Sequence, residues 1–231
     1  EVRRARRRPG ARLIPVPPAD PVPGGPRGEG HGPSPRPTAV PGGPRGEGGQ
    51  GPVGLWTVGH GTLAADDLAG LLAGAGVELV VDVRSFPGSR RHPQFGRAEM
   101  ERWLPEAGLR YRWEPRLGGR RRVRPDSRHV ALRTPGFRAY ADHMETADFR
   151  AGLDAALADA ARWRTAVLCS ESLWWRCHRR LLADAATLLD GVAVTHLLHD
   201  GRATVHVPTT GVRREGDHVV YDVGVDLPLP G

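Results

Sequence analysis

Cys169, Glu171, Cys177, His178 and Arg179 stand in one short run, CSESLWWRCHR. These residue types cover nucleophile, acid/base and anion contact. A thiol near a helix start has a lowered pKa, which favours thiolate chemistry at Cys177. His178 can share a proton with a thiol or accept one from substrate. Glu171 can cap the helix or transfer a proton. Three further segments carry comparable groups. His60 lies in a Gly59-His60-Gly61 turn, and Asp82 and Arg84 end the run VVDVR. Ser89, Arg90 and Arg91 follow in a Pro- and Gly-rich stretch.

These groups matter only if the elements before them bring them together. Leu55–Val58 is a short apolar run that ends at His60. Val77–Val83 is nearly continuous apolar sequence, as a strand covered on both faces requires. Thr165–Leu168 is a third such run, ending at Cys169. Leu109–Trp113 and Val192–Leu198 read as further strands. Helical spacing appears in Leu63–Leu72, Glu99–Ala107 and Cys177–Leu189. Phe137–Trp163 reads as one long helix or two joined near Thr146. Alternating strands and helices imply an α/β fold with a mostly parallel sheet. Ligands of such sheets bind outside the carboxyl ends of the strands. His60, Asp82, Arg84, Cys169 and Glu171 all fall at such ends, and Cys177-His178-Arg179 opens the next helix. Ala203–Pro208 and Val219–Val223 alternate and are expected to pair as a terminal hairpin.

Four chemistries fit these residues. An anionic or nucleotide-like ligand would sit on the helix N-terminus and Arg84/Arg90, with Glu171 or His60 as acid/base. Cys169 or Cys177 would act as nucleophile with His178 or His60. Cys169, Cys177 and His178, with His60 as a further candidate, would bind zinc, although Cys-x7-Cys-His is not a standard finger spacing. Gly59-His60-Gly61-x-x-Ala64, with Asp82 about twenty residues on, fits a dinucleotide fingerprint. No metal is assigned on this basis, and the residues name no cofactor. Leu117–Gly136 reads as a long polar loop with Arg120, Arg121, Arg122 and Arg124, so nucleic acid is an alternative partner.

Composition narrows the classes. The chain has 231 residues and a net charge of +7. Residues 1–52 hold nine Arg against Glu1, Asp20, Glu29 and Glu47, leaving only +2 for the rest. All 33 basic residues are Arg, and Ile14 is the only Ile, a pattern of coding bias that weakens Arg counts as a sign of phosphate binding. Residues 1–52 are Pro-, Gly- and Arg-rich, contain VPGGPRGEG twice, and read as a disordered tail. Arg3–Arg8 could touch nucleic acid or a membrane surface, but a charged, solvated tail is the favoured reading. Residues 53–231 are expected to form one α/β domain. No apolar run approaches a membrane span or a secretory signal. Two Cys do not make a disulfide framework, so a reducing cytoplasm is the expected setting.

Between about Trp56 and Leu198 the chain resembles the bacterial and archaeal family called domain of unknown function 488. The resemblance rests on TVGHGT at 57–62, VDVRSFPGSRRHPQF at 81–95, Tyr111 with Leu117–Gly119, FRAYADHM at 137–144 and CSESLWWRCHRRLLAD at 169–184. It implies a Rossmann-like, three-layer domain and no established activity. Positions matching its motifs are His60, Asp82, Arg84, Pro87, Ser89, Cys169, Glu171, Cys177, His178 and Arg179. Gly61 stands where the family usually has Ser or another residue, which makes the dinucleotide fingerprint accidental. Ser172–Arg176 is Trp-rich where relatives tend to be acidic. The expectation is an enzyme for a small anionic or nucleotide-like substrate. Glu171, His60, Cys169, Cys177 and His178 would be catalytic. Asp82, Arg84, Ser89, Arg90 and Arg179 would bind substrate.

Overall fold

A computed structural model describes residues 54–88 and 90–223. The tail expected over residues 1–52, and Ser89, lie outside the described residues.

The apolar runs form the strands of one sheet. They are β1 (Gly54–Gly59), β2 (Leu79–Asp82), β3 (Arg110–Trp113), β4 (Thr165–Cys169), β5 (Ala193–Leu197) and β6 (Ala203–Val205). Their order is β3-β2-β4-β1-β5-β6. All pairings are parallel except that of β6 with β5. Strand alternation then decides which face each side chain meets. On one face Val58, Val80 and Leu168 pack against Leu68 and Leu72 of α1 (Ala65–Gly74) and Met100 and Leu104 of α2 (Arg97–Glu106). On the other, Leu55, Val81 and Val167 meet Leu153 of α4 (Ala147–Arg162) and Leu181 and Leu182 of α5 (Arg179–Asp190). The result is a mixed α/β fold with helices on both faces of a mostly parallel sheet.

The stretch 137–163 resolves into two helices. α3 (Pro135–Met144) ends two residues before Thr146, whose hydroxyl caps α4 by accepting the Phe149 N–H at 3.2 Å. Such a cap satisfies one of the donors that a helix start leaves open.

The terminal hairpin pairs differently from expectation. Ala203–Val205 is β6 and adds to β5, with Leu197 opposite Ala203. The turn at Gly201, with φ of +82°, folds it back onto the nearest strand. The hairpin instead joins β7 (Val212–Glu215) to β8 (His218–Tyr221), outside the main sheet.

Topology singles out one point on the sheet. From β1 the chain crosses over to β2 and β3, then returns to β4 beside β1. From β4 it crosses to β5 on the opposite side of β1. The crossover helices α1 and α5 lie on opposite faces. A crevice therefore opens between the carboxyl ends of β1 and β4, where doubly wound sheets bind their ligands.

Candidate functional site

The two strands flanking that crevice are held in register beyond their ends. His60 N–H donates to the Cys169 carbonyl at 2.9 Å, and Gly61 N–H to that of Ser170 at 3.0 Å. Gly59 has no room for a side chain: a Cβ there would collide with the Glu171 carbonyl and come within 2.7 Å of Arg179 Nη2. Close approach of this loop to the strand is therefore built on glycine. Gly61, at φ +52°, turns the chain away from the rim.

A cavity of about 710 Å³ opens here. Six of the expected site residues line it: His60, Arg84, Cys169, Glu171, Cys177 and His178. They arrive from the ends of β1, β2 and β4 and from the start of α5. Arg91, Arg120 and Arg176 line it as well, with Glu171 the one acid among the lining residues.

The remaining expected residues lie elsewhere. Asp82 is fully buried behind the rim. Its carboxylate accepts from Arg84 Nε at 2.8 Å and Nη2 at 2.5 Å, and from the Tyr111 hydroxyl at 2.9 Å. Burial, with the Asp82 charge next, pushes the Tyr111 hydroxyl far above its ordinary range, so it stays a donor. Asp82 therefore orients Arg84 from behind the rim. Arg90 is exposed and does not line the cavity.

Arg179 was expected at the rim as an anion contact, but it is 1% exposed. Its Nη2 donates to the Glu171 carbonyl, and its Nε reaches Cys177 Sγ at 3.4 Å. It holds the Glu171 loop against α5, since an unpaired guanidinium could not remain buried there.

His60 has both ring nitrogens engaged. Arg84 Nη1 lies 3.2 Å from Nε2, and an arginine can only donate. Nε2 is therefore the acceptor, and Nδ1–H donates to the Gly61 carbonyl at 3.0 Å. Burial, and then the Arg84 charge, lower its pKa to about 4. Phe95 stacks on the ring at 4.1 Å. His60 is thus held neutral as a support for the rim. Glu171 is exposed, and its carboxylate accepts the Leu173 N–H at 3.3 Å.

The two thiols are free and buried, and both face the cavity. His178 Nδ1 lies 3.5 Å from Cys177 Sγ and 3.9 Å from Cys169 Sγ. These three ligand atoms lie within 4.8 Å of one another and could hold a metal. Burial opposes ionisation of Cys177. The Cys169 hydrogen bond and the Arg179 charge outweigh it and bring the thiol down to about 6. Cys169, donating to Cys177 and buried, is pushed up to about 12. His178 packs edge-on against Tyr140 at 4.9 Å, and its Nε2 is buried with no hydrogen-bond partner.

The Arg-rich loop is partly committed to the fold. Arg121 donates to the carbonyls of Gly118, Pro115 and Arg116, and Arg124 pairs with Asp126 at 3.1 Å. Trp174 stacks on His196 at 3.9 Å.

His196 belongs to a chain of polar residues missed in the sequence. Thr57 Oγ1 lies 2.7 Å from His196 Nδ1, and His196 Nε2 lies 3.0 Å from His206 Nδ1. His206 Nε2 meets Asp184 Oδ1 at 2.9 Å, and the Tyr221 hydroxyl meets Asp184 Oδ2 at 2.8 Å. The available signal was a polar residue on an apolar face: Asp184 within LLADAA and His196 within VAVTHL. A buried acid on such a face needs a partner.

The fold and cavity define an α/β protein with a thiol-lined crevice at the switch point of a parallel sheet. The family model described as Domain of unknown function DUF488 matches residues 64–186, and the chain belongs to that family. No curated protein and no solved structure matches it. Among the described residues, no helix is long and apolar enough to cross a membrane.

Proposed function

We propose that the protein is an enzyme acting on a small anionic or nucleotide-like substrate in the cavity between the ends of β1 and β4. The observation that carries this reading is convergence. Separate chain segments bring a thiol pair, a histidine and a carboxylate to one cavity that four arginines also line. Arg120 and Arg176 attract the anion from solvent, and Arg84 is fixed at the rim by Asp82. Cys177 supplies thiolate, the form in which sulfur attacks or ligates. Glu171 transfers the proton.

Purified protein would be offered a panel of nucleotides and small organic anions, chosen after native mass spectrometry for any co-purifying ligand. Wild type is expected to turn over at least one of them. Cys177→Ser and Glu171→Gln should each reduce that turnover by about a hundredfold or more while melting like wild type. Equal behaviour of all three proteins, or unfolding of both variants, overturns the reading.

A further inference from the structure

We infer that Cys169, Cys177 and His178 form a site for one divalent metal ion of the zinc type, open to the cavity. The inference rests on the enzyme reading above and assigns the thiol pair to ligation rather than to attack.

The geometry supports it in three ways. First, the spacing is that of a coordination shell. Tetrahedral zinc, with Zn–S of about 2.3 Å and Zn–N of about 2.0–2.1 Å, has S···N edges of about 3.6 Å. The observed S···N separations are 3.5 and 3.9 Å. All three ligand atoms fall within 4.8 Å, on groups from two different elements. Second, one imidazole nitrogen faces both sulfurs at comparable distance, 3.5 and 3.9 Å, so a single ion at the common point would meet all three ligand atoms at once. Third, the surroundings suit a ligand shell. Arg179 Nε–H points at Cys177 Sγ at 3.4 Å, which fixes a ligand and its charge. Gly119 lies so close to His178 Nδ1 that a Cβ there would clash, which holds the ring facing the sulfurs.

Three protein ligands leave the fourth tetrahedral position for water or a substrate oxygen, the pattern of catalytic rather than structural zinc. All three residues line the cavity, so that position opens where the anion would sit. Two thiolates and a neutral imidazole suit zinc and its borderline-soft neighbours and disfavour magnesium or calcium.

The test uses the full-length protein and cobalt(II), then zinc. One cobalt per chain should bind with a thiolate-to-cobalt charge-transfer absorption, and zinc should displace it one for one. Cys169→Ser and Cys177→Ser should each weaken cobalt binding tenfold or more. A measurement on wild type avoids any folding defect of the variants: zinc should shield both thiols from iodoacetamide, and a chelator should restore labelling. Absence of the charge-transfer band, or labelling unchanged by zinc, overturns the metal site. Turnover that persists without metal yet is lost in Cys177→Ser would also reject it, while leaving the enzyme reading intact with sulfur as nucleophile.

Discussion

The molecule holds two histidine-bearing clusters, and they are built in opposite ways. The buried chain from Thr57 to Asp184 is closed. With Asp184 as a carboxylate, His206 Nε2 must donate to it, so His206 Nδ1 accepts from His196 Nε2–H, and His196 Nδ1 accepts from Thr57. Tyr221 and the Thr209 N–H complete the carboxylate's partners. Both rings and the carboxylate have a partner at each of their polar atoms, and Thr57, His196 and Asp184 are fully buried. The cluster at Cys169, Cys177 and His178 is open. His178 Nε2 has no partner, two sulfurs share one imidazole nitrogen, and a cavity lies beside them. A satisfied polar network holds strands and helix in place. A converging set with bonding capacity left over is where a ligand has something to gain.

The sharpest way to break this contrast is to remove the acid that closes the first cluster. Asp184→Ala leaves His206, the Tyr221 hydroxyl and the Thr209 N–H without their acceptor. The expected cost is about 3–5 kcal/mol, as for breaking one side of a buried pair. Denaturant unfolding of the purified variant measures it. A loss below about 1 kcal/mol would mean that the network is not structural, and the distinction between the clusters would fall.

The two clusters were not equally visible before folding. Cys169 and Glu171 follow a buried strand, and Cys177 and His178 open a helix, so the rule about carboxyl strand ends expects them in one region. Six residues of that reading share the cavity. What local sequence could not specify was the partner of each polar group. Arg179 looks like an anion contact until its guanidinium is seen against the Glu171 carbonyl. His60 looks like a base until Arg84 and Gly61 occupy its two nitrogens. Asp184, His196 and His206 come from α5, β5 and the segment after β6, and nothing in their spacing relates them. The mistaken hairpin has the same origin: alternation marks a strand but does not name its neighbour.

Acid should weaken the supports before it touches the rest. His196 is held at about 3 by burial and then by His206, and His60 at about 4 by burial and then by Arg84. Both rings refuse a proton in the folded state that the unfolded chain accepts below about pH 6.5. The stability they protect is therefore complete above pH 6.5 and declines as pH falls towards 4 and 3. Each loses at most about 1.4 kcal/mol per pH unit, or about 2 kcal/mol between pH 6.5 and 5. Unfolding midpoints at pH 7, 6 and 5 should fall in step, and His196→Gln should show a shallower decline. A flat profile over that window would show that these rings are not held neutral by the fold.

The smallest effect on stability is expected at the mouth of the open cluster. Arg120 and Arg176 are exposed lining residues, so Arg120→Ala with Arg176→Ala should change stability by no more than about 0.5 kcal/mol. Their charge should matter only to what enters. Inorganic phosphate, titrated calorimetrically at low salt, should bind the double variant about tenfold more weakly than wild type, with the difference shrinking as salt screens the site. On any anionic substrate the double variant should raise KM and leave kcat nearly unchanged, because the lost contacts are made equally in the ground and transition states. If phosphate binding is unaffected, the arginines around the cavity are solvent-facing charge only, and the open cluster would have to be explained by its sulfur and imidazole ligands without an anion.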